Sequence, residues 1–133
     1  MTTPSAGIST FRFQKLEVWQ DARRLNLEAY RLTRTFPGTE QFALTSQMQR
    51  AAVSIAANIA EGSGRNSDKD FAHFLEISYG SAMELASHLV LASDLGYVEA
   101  KRLEMFLEQI NRVAMRIAAL NRSLSIKTSK VKL

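Results

Sequence analysis

The stretch Gln49–Gly64, QRAAVSIAANIAEGSG, constrains this chain more than any other. Its apolar residues and its length predict a helix that is greasy almost all round and therefore packed on more than one side. One narrow seam breaks the pattern: Gln47, Arg50, Ser54, Asn58 and Glu61 follow one another at steps of three, four, four and three residues, which places them on one helix face. Glu61 lies near the negative end of that helix, where a carboxylate costs from a few tenths up to about 1 kcal/mol unless a partner offsets it. Arg65, Arg50, Ser67 or a neighbouring subunit are the candidate partners. The seam has two readings, a cap that locks the turn after the helix and a recognition surface, because buried polar groups are hydrogen-bonded in either case.

Three further segments share the helical period. Upstream, Val18, Ala22, Leu25, Ala29, Leu32 and Phe36 predict a helix over about 15–36, flanked by Trp19 and Thr33. Pro37 and Gly38 end it, and Thr39 is the predicted N-cap of a second helix over about 40–62 carrying Leu44, Met48, Ala52, Ile55, Ala56 and Ile59, with Val53 and Ala60 widening its apolar face. Ser67 is placed to cap a third helix with Asp68 and Asp70 in its first turn, and its core stripe reads Phe71, Phe74, Leu75, Ser78, Ala82, Leu85, Leu89 and Ala92. Gly80 interrupts that helix at about 1 kcal/mol relative to alanine, which predicts close backbone packing there. Gly96 is its predicted C′ residue. A fourth helix from about 98 to 120 turns Leu103, Phe106, Leu107, Ile110, Val113, Ala114, Ile117 and Leu120 inward.

Each predicted helix of about 22 residues is roughly 33 Å long. Connections of a few residues between such helices imply antiparallel neighbours, so the expected fold is all-α, an antiparallel up-down-up-down four-helix bundle. Residues 1–10 are expected to be a disordered N-terminal segment, followed by an extended lead-in with Phe11, Phe13 and Leu16. The bundle domain covers 11–122, and 123–133 is expected to form a basic flexible tail.

At 133 residues the chain is long enough for one core. It contains no cysteine, which excludes disulfides, thiolate metal sites and thiol nucleophiles. The opening MTTPSAGIST lacks a signal-peptide pattern and no apolar run reaches membrane-spanning length, so the expectation is a soluble, cytoplasmic protein with no membrane partner. The net charge of +4 equals the contribution of Arg122, Lys127, Lys130 and Lys132 alone, which leaves the body balanced. Such a tail can hold phosphates by counterion release or serve as a solubilising end. On the first helix Arg23, Arg24, Arg31 and Arg34 share a side. Glu17, Asp21 and Glu28 lie beside them, which favours a self-neutralised solvated face over a phosphate stripe.

No pattern for chemistry emerges. His73, Glu76, Glu84 and His88 all lie on one predicted helix, in an order unlike the Glu-x-x-His pairs of di-iron bundles, so no metal and no cofactor is expected. Gly62-Ser63-Gly64-Arg65 follows a helix and lacks the ending of a phosphate loop, while Ser54 and Ser81 have no local base motif. The chain is expected not to be an enzyme.

Phe36-Pro37, Gln47 with AAVSIAANIAEGSGR, FAHFLEISYGSAMEL and LGY together resemble the bacterial four-helix-bundle family known as 23S rRNA intervening-sequence proteins, over about residues 11–120. The same family is similar to the accessory variability proteins of diversity-generating retroelements. The resemblance implies a homopentamer of bundles, no catalytic activity, and association with RNA, DNA or a ribonucleoprotein through a basic surface. It also marks Gln47, Arg50, Ser54, Asn58, Glu61, Gly62, Gly80, Ser81 and Glu84 as a shared interhelical or intersubunit network. Candidate nucleic-acid contacts are Arg23, Arg24, Arg31, Arg34, Arg50 and Arg65 with Lys127, Lys130 and Lys132. The alternative partner class is another protein, bound by a scaffold that never touches nucleic acid.

Overall fold

A computed structural model describes the backbone of residues 10–132 and the side chains as far as 125. The expected disorder of the N-terminal segment falls outside the described residues except at Thr10. Four helices account for most of the chain: α1 (Glu17–Thr33), α2 (Leu44–Ser63), α3 (Asp68–Asp94) and α4 (Ala100–Lys132). Short 3-10 turns at Arg12–Lys15 and Gly38–Glu40 precede α1 and α2. There is no strand among the described residues. The helices pack in a cycle, α1 on α2, α2 on α3, α3 on α4 and α4 on α1, with the most extensive contact between α2 and α3.

The apolar periods build one core. All six predicted inward residues of α1 are buried, and Met48, Ala52, Ile55 and Ile59 of α2 have no exposed surface. Val53 is a correction: it does not widen the core but is 44% exposed, and Ala51 is buried instead. On α3, Ser81 is buried although it lies outside the predicted core stripe, whereas Phe74, within that stripe, is only half-buried. Small residues at the α2–α3 contact bring the backbones close enough for the Ser78 hydroxyl to donate to the Ile55 carbonyl at 2.8 Å.

Helix ends depart from local expectation in instructive ways. Ser67 caps α3 by accepting from the Asp70 amide at 3.1 Å. Gly96, at φ +85°, closes α3: its amide donates to Ser93 O and that of Tyr97 to Ala92 O, satisfying carbonyls of the last turn. Thr39 does not cap α2. The chain makes the 3-10 turn and a further turn before α2 begins, and the Glu40 carboxylate accepts both the Tyr97 hydroxyl at 2.8 Å and the amide of Leu44, the first residue of α2, at 3.5 Å. Nor is the lead-in extended, since Gln14 Oε1 accepts from the amides of Thr10 and Phe11 and coils the segment. α4 runs on past Leu120 through residue 123 and beyond, burying Leu124.

The Glu40–Tyr97 bond, with Phe36 and Tyr97 ring centroids 5.4 Å apart, ties the α1–α2 connection to the α3–α4 connection. Hydrogen bonding to Glu40, then burial, then the carboxylate's charge raise the Tyr97 pKa above its usual value of 10.0. A raised folded-state pKa means that this bond's stabilisation is complete below the unfolded pKa of 10.0 and is lost as pH rises through the folded value. Spectrophotometric titration is therefore expected to show the Tyr97 phenol ionising above 10.0, and Glu40→Gln to return it towards that value.

Candidate functional site

The seam becomes a bonded junction between α2 and α3. Ser54 and Ser81 hydroxyls lie 2.7 Å apart, and Asn58 Nδ2 donates to Ser54 Oγ at 2.9 Å and to Ser54 O at 2.8 Å. The two hydroxyls and the amide thus satisfy one another at a half-buried position, and no histidine or carboxylate is within this hydrogen-bonded set. Below it, Gly62 lets α2 and α3 meet. A Cβ there would lie 2.8 Å from Phe71 Cδ1 and from Phe74 Cβ. Gly80, for which close packing was expected, is instead exposed, with nothing within 4 Å of a Cβ position. The glycine that permits close approach is therefore the one at the helix junction rather than the one in mid-helix.

Of the three candidate partners for Glu61 within the chain, Arg65 is the one that binds it, at 2.7 Å, and the same guanidinium lies 4.7 Å from the Phe74 ring centroid. About half of each side chain of the pair is exposed, so it contributes only a few tenths of a kcal/mol. Gln47 and Arg50 are exposed and join no hydrogen bond in this junction; Arg50 lines an open groove with Tyr30, Gln49 and Val53. Glu84 pairs along its own helix with His88 at 3.4 Å. The predicted network is thus split: Ser54, Asn58 and Ser81 form one cluster, Glu61 and Gly62 belong to the α2–α3 turn, and Gln47, Arg50, Gly80 and Glu84 stand on the surface. Among the described residues no group of His, Asp or Glu side chains is arranged to hold a metal.

The basic candidates also separate. Arg24 pairs with Asp21 at 2.8 Å and Arg31 with Glu28 at 2.9 Å. Two of the acids expected beside the stripe thus each take one of its arginines. The same two acids also reach α4, Asp21 to Arg116 and Glu28 to Arg102, the latter at 3.9 Å. Arg102 and Arg116 were not foreseen as site residues, since nothing local connects them with α1. Arg23 lies over the Trp19 ring at 5.7 Å and Arg34 is exposed at the end of α1. The side chains of Lys127, Lys130 and Lys132 lie outside the described residues.

A second unforeseen group sits ahead of α1. Arg12 donates to the Ser63 carbonyl at the end of α2 and lies over Phe71 at 5.2 Å, locking the lead-in onto the α2–α3 junction. The alternation Phe11-Arg12-Phe13 was its only signal in the sequence.

The family model described as 23S rRNA-intervening sequence protein matches residues 14–119, most of the chain. This chain belongs to that family. A crystal structure of a protein of unknown function from the S23 ribosomal protein family of Bacteroides thetaiotaomicron VPI-5482 is similar at a TM-score of 0.74 and 21% identity, over 79% of this chain and 95% of that one. At that identity the likeness establishes a common fold. No curated protein matches this member of the family. No helix among the described residues is long and apolar enough to cross a membrane.

Proposed function

We propose that this 23S rRNA-intervening sequence protein is a non-enzymatic helical module that self-assembles and associates with RNA or DNA, alone or in a ribonucleoprotein, in the cytoplasm. The observation that carries the reading is the face formed by α1 and α4. There Arg24, Arg31, Arg102 and Arg116 pair with two carboxylates, Asp21 and Glu28, and each arginine side chain remains 46–65% exposed. Two acids hold four guanidinium groups in place without neutralising them, which leaves planar donors oriented for phosphate oxygens. Binding to such a face releases counterions and depends little on sequence.

For assembly, the support lies on the opposite pair of helices. Val53 and Ile77 are exposed, and Gly80 bares backbone near the Ser54–Ser81 bond. Tolerating a mid-helix glycine that packs against nothing within its own chain fits a face that another subunit approaches. A homopentamer is the assembly the family resemblance implies, and short connections with sequence neighbours packed together support an antiparallel up-down-up-down order within each bundle. The hydroxyls of Ser54 and Ser81 bond to each other and to Asn58, which supports a structural role for them over a nucleophilic one.

A protein-binding scaffold is the second reading, favoured by Phe42, 92% exposed, with Leu91 and Leu95 at 49% and 57%. Light scattering combined with fluorescence anisotropy on an RNA and DNA pool separates the two. The proposed module forms a defined oligomer whose nucleic-acid affinity falls steeply with salt. A monomer, or affinity that is absent or indifferent to salt, removes this proposal and leaves the scaffold.

A further inference from the structure

The Phe11 ring is 60% exposed, yet its position is fixed. Gln14 Oε1 accepts from the Phe11 amide at 2.9 Å, and the neighbouring Arg12 is anchored on Ser63 O and Phe71. Phe11 lies nearly parallel to Phe13, at 9° with centroids 5.8 Å apart, and Phe13 meets Trp19 edge-on at 4.7 Å. A row of three aromatic rings therefore starts at Trp19, against the bundle, and ends at an open ring in solvent. Cations border it: Arg12 and Lys15 form no ion pair among the described residues, and Glu17 is the sole acid between Thr10 and Trp19.

A preorganised, open aromatic face beside cations fits a flat π system that carries negative charge on its backbone. We infer that Phe11, backed by Phe13 and flanked by Arg12 and Lys15, stacks one unpaired base of a single-stranded nucleic acid while the cations meet the adjoining phosphates. Bases within a duplex have both faces occupied by their neighbours and offer nothing to such a ring, so this site distinguishes strand states where the α1–α4 arginines do not. The inference rests on the nucleic-acid reading above and adds the strand state and the stacking residue.

Trp19 is the only tryptophan in the chain and reports on this row. Titrating the protein with an unstructured RNA oligonucleotide is expected to quench Trp19 emission, and titrating it with the same RNA paired to its complement is not. Phe11→Ala is expected to weaken single-strand affinity about tenfold, the loss of one stacked base, and to leave duplex affinity unchanged. Phe11→Tyr keeps the ring and is expected to bind as the wild type does. Circular dichroism checks that both variants stay folded. If the wild type binds single strands but Phe11→Ala binds them equally well, or if Trp19 emission does not change, the stacking site is wrong and the arginine face stands. If neither strand state binds the wild type, both ideas fall.

Discussion

Gly62→Ala is expected to destabilise the protein by about 2–3 kcal/mol, in the range of overpacked cores, and to lower its melting temperature by roughly 10 °C. The new methyl would meet Phe71 Cδ1 and Phe74 Cβ at 2.8 Å and the Phe71 carbonyl oxygen at 3.3 Å. Phe71 is 1% exposed, so its ring has little room to turn away. Phe74 Cβ is attached directly to the backbone and cannot be moved by any rotamer change, so relief requires α3 to shift away from α2. That shift in turn strains the most extensive helix contact in the molecule and the Arg12 anchor on Ser63. Gly80→Ala is the matched control. Its methyl meets nothing within 4 Å, and the better helix propensity is worth about 1 kcal/mol, so the same chemical change is expected to stabilise the isolated chain. Thermal and urea denaturation of both variants measures the contrast. Equal effects at the two glycines would show that the α2–α3 turn is not tightly packed.

Replacing Arg24, Arg31, Arg102 and Arg116 together by glutamine is expected to weaken nucleic-acid binding by roughly three orders of magnitude near 0.1 M salt, and to reduce the slope of log affinity against log salt by up to about four. The estimate follows from losing as many as four phosphate contacts, each releasing close to one counterion. Folding should suffer much less, because these pairs are largely exposed on the arginine side and such pairs contribute at most about 1 kcal/mol each. The matching lysine variant keeps the charge and loses the planar fork; it is expected to retain most of the salt dependence with lower affinity. Anisotropy titrations over a salt series read both quantities. An unchanged slope in the glutamine variant would place any nucleic-acid contact on another face.

Much of the architecture was legible because helical periodicity is a local property. A residue three or four positions along a helix shares its face whatever the rest of the chain does, so the inward stripes of Leu25, Ile55, Leu85 and Ile110 could be read directly. Ser67 and Gly96 were equally legible, since a cap bonds to its own helix within a few residues. Thr39 failed for the opposite reason. The backbone around Glu40 closes a separate 3-10 turn ahead of α2, and its carboxylate bonds to Tyr97, a partner distant in sequence that no local pattern reveals.

The candidate site divides along the same line. The polar spacing on α2 was visible, but which of its members bond depends on the residue that α3 presents: Ser81 meets Ser54, while Gln47 and Arg50 meet nothing comparable. Helix propensity marked Gly80 as the costly glycine and predicted close packing there. Only the crossing of α2 and α3 shows that Gly62 is the one against which side chains close. Likewise Asp21 and Glu28 looked like local partners of an arginine stripe, until α4 brought Arg116 and Arg102 to the same carboxylates.

By itself, then, the sequence determined the number and inward faces of the helices, two of their caps and the membership of the family, because these depend on spacing and residue type along the chain. Tertiary structure alone decided which polar side chains meet, which glycine permits contact and which arginines of two helices share a carboxylate. Those depend on distances between helices, and such distances are set by how their side chains pack together.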